Sequence, residues 1–243
     1  MLSILVIISE YLLKMCDAVK RPKFLPSLPD PVLHSTRVLH NLLLSECLYS
    51  STISKDYMKE VQEYLAPHHR KIVTDWMLEV CQEQKCSPQV FLSGVQYLDR
   101  VLSVLPIKTG QLQLLASACL ALSSKLHDPH PLSLHHLVVY TDCSISMTEL
   151  QDMEMMVLEK IRWELASPNT SKFLDIILAN LEQTISSQVI NLVQKHAQTF
   201  LALAATEYRF YNIRPSVLVS YLINWLHFYH RLQRCHPKKF PKK

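Results

Sequence analysis

The chain has 243 residues, 49% of them hydrophobic, enough to bury one large core or two smaller ones. It holds only two glycines, Gly94 and Gly110, and few alternating β-branched runs, which argues against a sheet and for an all-α protein. The net charge of +4 is dispersed until the closing PKKFPKK, and no basic stripe with interleaved aromatics marks a nucleic-acid module.

In chain order, residues 1–35 read as a divergent, mostly extended segment. The opening MLSILVIISEYLLK has the apolar character of a signal peptide without its basic n-region or small-residue cleavage site, so it is taken as an alternative or poorly placed N-terminus rather than a targeting signal. Pro22, Pro26, Pro29 and Pro31 then make an extended lead-in. Two short helical pieces are expected at 36–46 and 54–65, the second carrying Tyr57, Val61, Tyr64 and Leu65.

After Pro67, Ile72, Val73, Trp76, Met77 and Val80 recur at helical spacing. Ser87-Pro88 reads as a cap and first-turn proline for the next helix, whose inner stripe is Phe91, Val95, Leu98 and Leu102, with Gly94 permitting a close crossing. The third helix is the centre of the chain. From Lys108 to Lys125 it carries no intervening charge and is Leu, Ala, Cys and Ser on every side, which predicts the central rod of a helical bundle; the run is shorter than the roughly 20 apolar residues of a membrane span.

The HDPHP run at 127–131 is a turn, and Ser133 is placed to start a short helix through Val139. Ser146 and Glu149 have capping-box spacing ahead of a fifth helix with the stripe Leu150, Met153, Val157, Leu158 and Ile161, into which Glu154 falls. These five helices and the pieces before them form one unit over 36–166, with Pro168 marking the boundary. A second unit, 167–230, holds a sixth helix around Phe173 and Ile177, a seventh from Ser186 to Tyr208 with Ala197, Leu201 and Ala204–Ala205 for close packing, and an eighth from Pro215. Residues 231–243 read as a basic, solvated tail.

Seven cysteines without a CxxC pair fit a reducing compartment, with Cys81 and Cys119 as small buried hydrophobes. His127, His130, His135 and His136 cluster in sequence, but no carboxylate or thiol spacing completes a metal site. No nucleophile elbow or glycine-rich phosphate loop is present, so neither a catalytic residue nor a cofactor is expected. Lys125 and Glu154 stand out as charges on apolar helix faces, where a lone charge is costly. Two readings remain open: an internal salt bridge between the third and fifth helices, or a charged rim that grips a partner.

The runs RKIVTDWMLEVCQEQKC, VQYLDRVLS, QLQLLASACLALSSKL, LVVYTDCSI and MEMMVLEKIRWEL together resemble the first helical box of D-type cyclins. KHAQTFLALAATEYRFYNIRPS resembles the second box of the same family. The resemblance implies an all-α cyclin fold, with one complete five-helix box followed by a second reduced to about three helices. It implies a regulatory subunit rather than an enzyme, with a cyclin-dependent kinase of the D-type-cyclin class as partner. It also implies action in G1/S progression through retinoblastoma-type proteins, in nucleus and cytoplasm, with kinase inhibitors as further partners and no nucleic acid or membrane. Lys125 and Glu154 match the family's kinase-contacting pair, with Val157, Leu158 and Ile161 as the apolar part of that contact. Arg70 and Asp99 match its buried structural ion pair, and His69, Ile72, Val73 and Trp76 fall on its substrate-docking helix.

Three departures accompany the match. The family's pocket-protein motif LxCxE is represented only by Leu13-Lys14-Met15-Cys16-Asp17, and His69 stands where methionine usually precedes the arginine. After Ser220 the sequence SYLINWLHFYHRLQRCHPKKFPKK is bulky and basic, which reads as a shortened second box with exposed apolar surface on its helices. Two alternative functions follow: a shortened cyclin that binds kinase without full activation, or a cyclin-fold transcription adaptor, which would need a zinc ribbon and a basic face.

Overall fold

The structure, a computed structural model, describes residues 35–50, 56–181 and 187–235. Residues 1–34, with the Leu13–Asp17 motif and the lead-in prolines, and residues 236–243 lie outside the described part, so the expectations placed on them are not addressed by it.

Ten α-helices occur among the described residues: α1 Thr36–Ser50, α2 Tyr57–Glu60, α3 Pro67–Glu83, α4 Pro88–Leu102, α5 Leu112–His127, α6 Leu134–Tyr140, α7 Met147–Lys160, α8 Thr170–Leu181, α9 Ser187–Thr206 and α10 Pro215–Cys235. The expected central rod is α5, entered by a 3-10 turn at Thr109–Gln111. Leu112 and every residue from Leu115 to Ser124 are buried, and α3, α4 and α7 pack around it. Small side chains make this possible. A Cβ on Gly94 of α4 would stand 3.2 Å from Leu120 Cδ2 and 3.3 Å from Met77 Cε, so the missing side chain sets the α3–α4–α5 spacing. α7 starts at the expected capping box: the Ser146 hydroxyl accepts from Glu149 N–H at 3.2 Å, and Ser146 N–H donates to Glu149 Oε2 at 2.8 Å.

Three helices end in the same way, with a left-handed residue and a six-to-one backbone hydrogen bond. At α3, Cys86 N–H donates to Cys81 O (2.9 Å) across Lys85 (φ 58°). At α6, Cys143 N–H donates to Val138 O across Asp142, and at α7 Trp163 N–H donates to Leu158 O across Arg162. Glycine usually fills that position, and this chain manages with lysine, aspartate and arginine.

The piece expected at 54–65 is helical for one turn only. Gln62 leaves the helical path because its buried amide serves three backbone groups, donating to Leu102 O (2.5 Å) and Leu105 O (2.7 Å) and accepting from Ile107 N–H (3.0 Å). α1 runs to Ser50 rather than stopping at residue 46. The expected inner stripe of α3 is also shifted: Val73, Met77 and Val80 are buried with Arg70 and Thr74, whereas Ile72 faces solvent and Trp76 is half-buried. The Ser87 hydroxyl makes no cap bond, and Asp128 receives the Ser87 N–H instead (3.3 Å).

Beyond Pro168, α9 lies against α3 and α4, and α8 and α10 close over it. Phe173, Leu178, Ala197, Leu201, Val219 and Leu226 join the same apolar core as the first five-helix set. Among the residues of this half whose side chains are described, Leu192, Ile213, Val217 and Tyr221 are exposed. α10 continues to Cys235, so residues 231–235 are helical rather than tail. No helix among the described residues is long and apolar enough to cross a membrane.

Candidate functional site

The last turn of α5 and the middle of α7 meet at Lys125 and Glu154. Lys125 Nζ donates to both carboxylate oxygens, at 2.6 and 2.8 Å. The Glu154 side chain is 9% exposed and that of Lys125 is 46% exposed, so the carboxylate is sunk into the protein while its partner reaches solvent. The cation also lies at the C-terminal end of α5, where the helix dipole favours it. Of the two readings left open by the sequence, the internal salt bridge is present, and its cation reaches solvent.

The apolar residues assigned to the same contact are placed differently. Val157, Leu158 and Ile161 are 0, 7 and 1% exposed and belong to the chain's own core. They are not presented to a partner; burying them against α4 and α5 is what holds α7 in place. Exposed apolar side chains adjoin the pair at Leu126 and Met155, neighbours of Lys125 and Glu154 in sequence. A sequence stripe does not distinguish a helix face turned to the core from one turned to a partner.

Arg70 and Asp99 form the second cluster, buried within the fold. Arg70 Nε and Nη2 donate to the two Asp99 oxygens at 2.7 and 2.8 Å, and Tyr57 OH donates to Oδ1 at 2.6 Å. The guanidinium also donates to Thr206 O (3.1 Å) and Ala205 O (3.0 Å), the open carbonyls at the end of α9. Burial opposes the Arg70 charge, but the Asp99 carboxylate more than offsets it and holds the guanidinium above its ordinary range. Burial, then the Asp99 charge, drives the Tyr57 phenol well above the usual tyrosine value, so it remains a donor. Tyr57 also meets Tyr208 and Tyr211 edge-on, with ring centroids 5.4 and 4.9 Å away. Tyr57, Ala205 and Thr206 carry no sequence signal for this role, since each is an ordinary apolar or small residue in a helix.

On α3, His69 Nδ1 accepts from Ala66 N–H (3.0 Å), turning the imidazole onto the helix's own first turn. Ile72 is 66% exposed beside half-buried Trp76, while Val73 is buried and contributes to the core rather than the surface. Lys71 bridges to Glu207 (3.0 Å) and Asp75 (3.4 Å) along one side. His127 contacts the Ser93 hydroxyl (2.9 Å), and burial lowers its pKa; no group of three or more metal-ligating side chains occurs among the described residues.

Residues 37–166 match the family described as "Cyclin, N-terminal domain". The chain is 45% identical over 193 residues to human G1/S-specific cyclin-D3, covering 79% of this chain and 65% of that protein. It is 41% identical over 204 residues to mouse G1/S-specific cyclin-D2, covering 84% of this chain and 68% of that protein. The chain thus spans about two thirds of the length of these relatives. Among solved structures, a viral cyclin from herpesvirus saimiri superposes with a TM-score of 0.68 at 25% identity, covering 77% of this chain and 80% of that one. A chain in the yeast RNA polymerase II CTD kinase CTDK-1 complex, 13% identical with a TM-score of 0.56, shares the fold.

Proposed function

This chain belongs to the D-type cyclins, and from that premise we propose that it is the regulatory subunit of a cyclin-dependent kinase of the D-type-cyclin class, itself without catalytic activity. The observation that carries the reading is the Lys125–Glu154 pair. A buried carboxylate fixes an ammonium at the surface, with Leu126 and Met155 beside it, so a partner meets a positioned charge with apolar flanks.

The mechanism is a population shift. Docking on the α5–α7 face favours the kinase conformation with its C-helix swung inward, aligning the kinase's own catalytic Lys–Glu pair. The relatives' names set them at the G1/S step, and we carry that step to this chain, with retinoblastoma-type proteins as substrates and with nucleus and cytoplasm as its places of action. Pocket proteins and kinase inhibitors are its further partners. Ile72 and Trp76 form the substrate-docking surface of α3, which His69 makes more polar than a methionine would.

The test is kinase activity toward a pocket-protein fragment, with this chain co-expressed with the D-type partner kinase. Activity above the kinase alone is expected. Co-purification without added activity would favour a second reading, a binder that does not activate. Failure to co-purify would overturn the proposal.

A further inference from the structure

The C-terminal cap of α3 brings two cysteines together. Cys81 is the third residue from the helix end and Cys86 the second beyond its cap; Cys86 N–H donates to Cys81 O (2.9 Å) and Lys85 N–H to Gln82 O (3.2 Å), a Schellman motif closed by left-handed Lys85. That motif places these two side chains in contact, a position normally filled by an apolar pair. Here the pair is two cysteines, neither of them in a disulfide. Five peptide bonds separate the two residues, and the six-to-one backbone bond already closes the short loop that a disulfide between them would need.

The two sulfurs are not equivalent. Cys81 is 5% exposed, whereas Cys86 is half-buried and reaches solvent. The neighbouring Cys86 thiol and burial, with a smaller contribution from the Asp128 charge, push the Cys81 thiol well above its usual range. An attacking sulfur that reaches solvent, with a sheltered second cysteine beside it, is the arrangement of a site that is oxidised and then resolved internally.

We propose that Cys81 and Cys86 are a reversible dithiol modification site, closed to a disulfide by a peroxide. The Cys86 thiolate attacks a peroxide oxygen, the O–O bond breaks, and a sulfenic acid and hydroxide form; the hydroxide takes up the proton lost by the thiol as the first water. The Cys81 sulfur then attacks the Cys86 sulfur, forming the S–S bond as the S–O bond breaks, and the departing hydroxide leaves with the Cys81 proton as the second water. Two thiols are oxidised and one peroxide is reduced to two waters. A cellular thiol reductant reverses the step by exchange. The site lies at the same end of the bundle as the kinase-facing pair: the Ser87 N–H that follows Cys86 is held by Asp128, three residues after Lys125, and Gln84 of the cap donates to Tyr140 OH (2.6 Å).

The test is peroxide treatment of the full chain, alkylation, and tryptic digestion without reductant. Cleavage after Lys71, Lys85 and Arg100 separates the two cysteines onto IVTDWMLEVCQEQK and CSPQVFLSGVQYLDR. The expected result is one linked species whose mass is the sum of the two peptides less two hydrogens, lost on adding dithiothreitol. In Cys81→Ser, Cys86 should instead be trapped as a sulfenic acid by dimedone, and in Cys86→Ser Cys81 should stay unlabelled. Recovery of the two wild-type peptides unlinked, or linked to the exposed Cys47 or Cys143, would overturn the proposal, and this wild-type readout does not depend on how well either variant folds.

Discussion

Asp99 holds donors from two elements at once, the Tyr57 hydroxyl and the Arg70 guanidinium, and Arg70 is 1% exposed. Removing the carboxylate leaves a buried cation with no counter-charge, so Asp99→Asn should cost about 3–5 kcal/mol, read as a fall in the urea midpoint. Asp175 on α8 behaves in the opposite sense. Burial raises its pKa from 3.8 to about 6 despite a hydrogen bond from Gln89 (3.3 Å). The folded state therefore binds the extra proton between those values, and stability falls as pH rises through that window and is flat above it. Asp175→Asn should raise Tm at pH 7 and leave it nearly unchanged at pH 4; an equal shift at both would exclude this origin. The residue scale is also where sequence reasoning reached least evenly. A charge on an apolar face pointed to Lys125 and Glu154, because water-shunning surroundings make a lone charge conspicuous. Nothing marked the Tyr57 hydroxyl as a donor to Asp99, or told whether the stripe of Val157, Leu158 and Ile161 meets the core or a partner, because both are set by neighbours distant in sequence.

At the scale of elements, the caps carry the most information. Ser146 and Glu149 were legible because a capping box depends on two residues at fixed spacing. The C-terminal caps were not, because Lys85, Asp142 and Arg162 occupy left-handed positions that glycine would have announced. For lysine that conformation costs about 1–2 kcal/mol, and glycine's extra chain entropy returns part of this, about 0.5–1 kcal/mol. Lys85→Gly should therefore stabilise by up to about 1 kcal/mol in chemical denaturation, and a lower midpoint would contradict the cap assignment. The short α2 was misjudged for a related reason. Periodicity extended it to residue 65, but Gln62 finds more hydrogen bonds by leaving the helix than by staying in it.

Across the whole molecule, Pro168 marks a change of helix set without separating two cores. Arg70 donates to the end of α9, the Tyr57 ring packs on Tyr208 and Tyr211, and Glu46 of α1 accepts from Ser216 N–H at the start of α10 (2.7 Å). These ties predict a single cooperative unfolding transition. A variant retaining only Trp225, made with Trp76→Phe and Trp163→Phe, should lose its fluorescence signal at the same denaturant concentration as its far-UV helicity. Separated midpoints would mean that the last three helices unfold independently. The all-α bundle, its central rod and its two helix sets could be read from hydrophobic periodicity and proline placement, because those features are local. The ties between the sets could not, because Arg70 and Thr206 are 136 residues apart.

Lys125 is proposed to serve a partner as well as Glu154, and exchanging the two charges separates those roles. Lys125→Glu alone should abolish kinase stimulation while leaving far-UV helicity unchanged. The double variant Lys125→Glu/Glu154→Lys restores an ion pair of reversed polarity, and kinase activity toward a pocket-protein fragment is the measurement to make on it. The expected result is wild-type helicity and Tm without recovered stimulation, because the partner then meets a carboxylate where it needs an ammonium. Recovery of stimulation to the wild-type level would show that the pair acts only within the fold, and the docking assignment would fail.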